Sequence, residues 1–167
     1  LLNLLPAIGE APALLLLTHF HLDHLLGLPM FPRAFAKGNG LRIAVPAALE
    51  DGATFKKALS RLISPPLWPV KPSAKPTDVL PAADGRPLPF GTFSIRCLPV
   101  PHPGGCLAYR VIHEPSSKSI VLATDIELRA LAPADLDNFR SFCATADLLI
   151  LDGHFDSADI AAHNGWG

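Results

Sequence analysis

The sequence predicts a mixed α/β domain, of α+β or layered α/β type. Short apolar runs of strand length recur along the chain, with only a few stretches of helical period between them. The longest unbroken run, Ala13 to Leu17, is strand-sized and far short of the ~20 residues a membrane span needs. Hydrophobic residues make up 49% of the 167, enough to fill a core, and that length corresponds to one domain over 1–167.

Taken in order, Leu1 to Pro12 is leucine-rich but broken by Pro6, Gly9 and Pro12, which predicts a helix end running into a turn. Ala13 to Thr18 reads as a strand buried on both faces. It is followed by a short helix-like stretch and a loop at Gly27 and Pro29. Leu41 to Val45 is a second strand. Between Thr54 and Leu62, Phe55, Leu59 and Leu62 recur at helical spacing and predict an amphipathic helix with one face on the core. Ser64 to Pro81 carries six prolines, so it is expected to be an extended loop or edge segment. Phe90 to Leu98 alternates Phe93, Ile95 and Cys97 with Ser94 and Arg96, the pattern of a half-buried strand. Leu107 to Ile112 and Ser119 to Thr124 form a predicted hairpin across Glu114 to Lys118, and Asp147 to Leu151 is one more buried strand.

Charge excludes several functions. With 14 basic and 15 acidic residues the chain has a net charge of −1, which offers no footprint for extended nucleic acid. The small basic group Lys56, Lys57 and Arg61 reads as a solvated helix face. No membrane partner is expected, and Leu1 to Leu5 lacks the basic leader and cleavage site of a signal peptide. Three widely spaced cysteines, Cys97, Cys106 and Cys143, fit a reduced, cytoplasmic chain.

The densest chemical signal is Thr18-His19-Phe20-His21-Leu22-Asp23-His24, with three imidazoles and a carboxylate within six residues at the end of a strand. On an extended segment His19 and His21 point to the same side and can converge on one cation. Asp23 and His24 follow where the chain turns, in reach of a second. Imidazole and carboxylate are the donors zinc prefers, and manganese and iron accept them.

This H-x-H-x-D-H pattern after an apolar strand resembles the hallmark of the metallo-β-lactamase superfamily. The resemblance continues at His102 in Val100-Pro101-His102-Pro103-Gly104-Gly105, at Asp125 after Ile120 to Thr124, and at the strand Asp147 to Ile150. It implies an αββα sandwich holding two divalent metal ions, zinc first, with manganese or iron as alternatives. His19, His21 and His102 would hold one metal, Asp23 and His24 the other, and Asp125 would bridge both. Asp23 would also orient the nucleophile, and the metals would share a hydroxide. The family's leading strand with an Asp-x-Gly turn is not seen, and its further histidine would directly follow Gly165-Trp166-Gly167. The resemblance therefore implies a domain truncated at both ends.

Order and spacing resemble the branch of ribonuclease Z and of cyclic-phosphate or phosphodiester hydrolases. Where ribonuclease Z carries a His-Glu-Ala-Thr run, this chain has Leu151 and Asp152, and Asp152 and His154 are expected to support the site by hydrogen bonds. His113 is expected to be solvent-exposed and His163 to lie on a C-terminal helix. The function implied is a phosphodiesterase acting on a small-molecule or nucleotide phosphodiester. The alternatives are a tRNA 3′-processing endonuclease, which calls for a basic arm this chain lacks, and a non-catalytic metal-binding sensing domain. The hydrophobic stretch Pro65 to Pro81 with Trp68 is the candidate surface for a homodimer, or else a packing loop beside the cleft.

Overall fold

Why the first strand sits where it does follows from its composition: an all-apolar Ala-Leu-Leu-Leu segment needs partners rather than solvent. In the computed structural model, which describes residues 7, 9–35, 40–47, 53–69, 78–153 and 163, β1 (Ala13–Leu16) pairs in parallel with β2 (Leu41–Pro46). The described chain is mixed α/β and forms two compact units, Leu1–Pro81 and Ala82–Gly167.

In the first unit, β1, β2 and β3 (Val79–Ala82) form a three-stranded sheet in that order. β2 contributes most to the core, with Ile43, Ala44 and Val45 all at 2% exposure or less. A four-residue helix, α1 (Leu22–Leu25), follows the histidine segment and buries Leu25. The predicted amphipathic helix is α2 (Ala53–Leu62); Phe55 and Leu59 are buried and Leu62 packs beside them. Arg33 is buried as well. Its guanidinium donates to the Gly9 and Ala11 carbonyls at 2.9 and 2.8 Å, holding the turn that leads into β1.

The proline-rich stretch is a loop over part of its length, but its end forms β3, at the edge of the sheet where proline is tolerated. Trp68 packs against the core of its own unit. Residues 1–6 and 70–77 lie outside the described residues, as do His154 and Gly165 to Gly167.

The second unit is a five-stranded sheet in the order β4 (Leu88–Phe90), β5 (Phe93–Val100), β6 (Cys106–His113), β7 (Lys118–Ala123) and β8 (Leu148–Leu151). Pairing is antiparallel except between β7 and β8. The strand expected from Phe90 starts instead at Phe93, because Gly91, at φ +57°, turns the chain and pairs Phe90 with Phe93. The predicted hairpin between β6 and β7 is present, with His113 half-buried against Phe93 and its Nδ1 2.8 Å from the Ser116 hydroxyl.

A helix not expected from the sequence, α3 (Pro133–Cys143), buries Phe139 into a cluster with Val100, Cys106, Ala108 and Ile126. Pro133 stands at its start, where a missing N–H costs nothing. Arg110 reaches across from β6 to its C-terminal end and donates to the Phe142 and Ala144 carbonyls at 2.8 and 2.7 Å. β8 also departs from expectation. Expected to be buried, it lies at the sheet edge among the described residues with all four side chains 39–49% exposed, because an edge strand is covered only by what packs over it. His163, expected on a helix, is not helical.

Candidate metal centre

Parallel strands gather their C-terminal ends at one side, which is where chain-end chemistry collects. In the first unit the ladder runs one residue past β1, with the Leu17 amide donating to the Ala44 carbonyl at 3.0 Å, and then stops. His19 follows two residues later at 1% exposure. Its ring lies edge-on to His21, centroids 4.4 Å apart, and 4.3 Å from the ring of His24. Within each of those pairs, nitrogen atoms come within 4.8 Å.

The backbone explains this convergence. His21 is still extended (φ −63°, ψ 152°), so it shares a side with His19, and α1 then turns the chain to bring His24 back. Phe20, between the two histidines, points the other way and stacks at 5.5 Å on Phe55 of α2. The Asp23 carboxylate lies 3.2 Å from His24 Nε2 and is 76% exposed. His19 can thus share a divalent cation with either neighbouring ring, since each can present a neutral lone pair to it.

The second unit places its own three candidates at one end of its sheet. β5 and β7 run the same way, and β8 runs parallel to β7, so the residues just past each strand share an end. His102 follows β5, Asp125 follows β7 and Asp152 follows β8. The loops are tied together: the Glu127 amide donates to the Pro101 carbonyl at 2.9 Å, and the Asp152 amide donates to the Ala123 carbonyl at 2.9 Å. After His102 the chain turns through Gly104 and Gly105, both near φ +80°, and the Gly105 amide closes the turn on the His102 carbonyl at 2.8 Å.

Two side chains not singled out from the sequence stand against the candidate ligands. Thr18 Oγ1 is 3.0 Å from His19 Nδ1, and the Thr124 hydroxyl donates to Asp125 Oδ2 at 2.7 Å. The available signal was position alone: each threonine directly precedes a candidate ligand at a strand end.

Residues 4–166 match the family model described as the beta-lactamase superfamily domain. Among solved structures, the chain is similar to the metallo-beta-lactamase fold protein YhfI from Bacillus subtilis, at 25% identity and TM-score 0.55, covering 86% of this chain and 52% of that one. It is also similar in fold to the short form of human tRNase Z (15% identity, TM-score 0.60, 92% and 62% covered). The same holds for yeast PDE1 (16% identity, TM-score 0.58, 81% and 40% covered). The chain thus spans about half the length of the first of these structures. No curated protein matches it significantly. No helix among the described residues is long and apolar enough to cross a membrane.

Proposed function

The chain belongs to the beta-lactamase superfamily, and on that premise we propose that it is a metal-dependent hydrolase cleaving a phosphodiester or cyclic phosphate. The observation that carries this reading is the histidine group of the first unit, with His19 buried and the rings of His21 and His24 within 4.4 Å of it. A buried imidazole set against two others is costly to hold without a shared purpose, and a cation supplies one.

In the proposed assignment His19, His21 and His102 would hold one divalent ion and Asp23 and His24 a second, with Asp125 a ligand shared by the two. Bound ions of this kind supply Lewis acidity and lower the pKa of water toward neutrality. Asp23 orients the attacking water, and the exposed setting of its carboxylate leaves it open to solvent and substrate. Asp152, which follows β8 and bonds through its amide to Ala123, steadies the loop that carries Asp125. Zinc is the first choice of metal, with manganese and iron next, because all three accept imidazole and carboxylate.

Two features support a phosphodiester over a β-lactam: the Asp23-His24 pair is uninterrupted, and an aspartate, Asp125, stands at the late ligand position. The near-neutral charge of these 167 residues gives no electrostatic support for a tRNA precursor as substrate. The test is turnover of bis(p-nitrophenyl) phosphate and cyclic nucleotides by the full-length, metal-loaded protein, with loss of turnover on Asp125→Ala. Confirmed metal occupancy without turnover of any phosphodiester refutes the reading. Nitrocefin hydrolysis or precursor-tRNA cleavage redirects it, and metal binding with no activity at all favours a sensing domain.

A further inference from the structure

In each unit, the residue just before a candidate ligand at a strand end is a threonine, and its hydroxyl reaches that ligand's side chain. Backbone groups bond nearby: the Leu17 amide closes the last ladder bond of β1, and the Asp152 amide bonds the last residue of β7. Each threonine thus follows hydrogen-bonded backbone at a strand end; Thr18 is half-buried and Thr124 exposed, and each hydroxyl lies within bonding distance of the ligand side chain beside it.

We propose that Thr18 and Thr124 are positioning residues that select which donor atom His19 and Asp125 present to a metal ion. This inference rests on the metal-dependent hydrolase reading. With Nδ1 of His19 3.0 Å from Thr18 Oγ1, the ring can offer a metal-directed lone pair only from Nε2. That requires the proton on Nδ1, so Nδ1–H donates and the threonine oxygen accepts. The hydroxyl thus fixes the tautomer as well as the ring angle. At Asp125 the roles reverse: the Thr124 hydroxyl donates to Oδ2 at 2.7 Å, a short charge-assisted bond that holds the carboxylate plane and directs Oδ1 toward the cation. A threonine serves both sites because its oxygen is acceptor and donor alike. Valine has the same shape and neither capacity.

The experiment compares the full chain with Thr18→Val, Thr18→Ser, Thr124→Val and Thr124→Ser. Circular dichroism confirms folding, and zinc affinity is measured by competition with a chromophoric chelator. Each valine variant is expected to lose about 10–100-fold in affinity, the usual range for a lost partner of a metal ligand, and each serine variant to recover most of it. The second readout is the tautomer of His19 in the metal-free protein, from long-range proton–nitrogen correlation. It should be Nδ1–H in the parent and in Thr18→Ser, and mixed in Thr18→Val. Valine variants that bind zinc within twofold of the parent overturn the proposal, and so does a parent His19 protonated on Nε2. A parent that binds no zinc yet keeps the Nδ1–H tautomer removes the metal reading while leaving the Thr18–His19 arrangement established. A zinc-binding parent with the other tautomer does the reverse.

Discussion

Replacing Phe55 by alanine is expected to destabilise the first unit and loosen its histidine group together. Phe55 is fully buried on α2, and its ring packs at 5.5 Å and 38° against Phe20, the residue between His19 and His21. Truncation removes about 150 Å² of buried aromatic surface, which at about 25 cal/mol per Å² is about 4 kcal/mol. That lies inside the roughly 3–5 kcal/mol range for phenylalanine-to-alanine changes in cores. The pair itself should contribute about 0.5–1.5 kcal/mol of coupling, read from a double-mutant cycle with Phe20→Ala. The assay is urea unfolding followed by circular dichroism, with zinc affinity measured on the same variants. Because Phe20 is anchored by Phe55, affinity should fall in Phe55→Ala even at denaturant-free, fully folded conditions. A loss below about 1.5 kcal/mol, or no coupling with Phe20, would refute the claim that α2 braces the histidine segment.

Three further outcomes are expected. Gly105→Ala should cost about 1–2 kcal/mol from backbone strain alone, since Gly105 sits at φ +85° with open space where a Cβ would go; unchanged stability by thermal melt would contradict this. Asp147 is held below its ordinary 3.8 by the Lys118 ammonium and then by the Ser119 amide, so its stabilising effect is full above about pH 4 and disappears as pH falls through the lowered value. Asp147→Asn should therefore be less stable than the parent at pH 7, with the difference closing in acid, and a gap persisting at pH 2 would show that the carboxylate charge is not responsible. Burial, with the Asp84 carboxylate nearby, pushes the Cys97 thiol up to about 11, and burial also raises Cys143. At pH 8 the native thiols should react slowly with a disulfide reagent while all three react at once in denaturant; a fast native thiol would overturn this.

Features set by residues a few positions apart were legible in the chain, and those set by distant packing were not. The α2 stripe of Phe55, Leu59 and Leu62 was legible because a helix face depends only on residues three and four apart. The shared side of His19 and His21 was legible for the same reason, through the two-residue period of extended chain. α3 was not, although Pro133 marks its start, because Leu136, Phe139, Phe142 and Cys143 make only a short apolar stripe of which Phe139 alone is buried. The two-residue turn at Gly91 was hidden inside a strand-like stretch, since Phe90 and Phe93 continue the apolar pattern on both sides of it.

The sequence by itself determined the chemistry: which donors exist, their order, and the strand ends on which they fall. Donor type and spacing are properties of a short window, so no fold is needed to read them. Tertiary structure alone decided exposure and gathering. Leu148 to Leu151 are as apolar as Leu14 to Leu16, yet they lie exposed because little among the described residues packs over the faces of β8. His102, Asp125 and Asp152 share one end of a sheet because of strand order and two backbone bonds, one between loops and one from Asp152 to the last residue of β7. The Thr18 and Thr124 contacts depend on side-chain rotation that only the folded surroundings select, which is why two ordinary threonines carried no sequence signal.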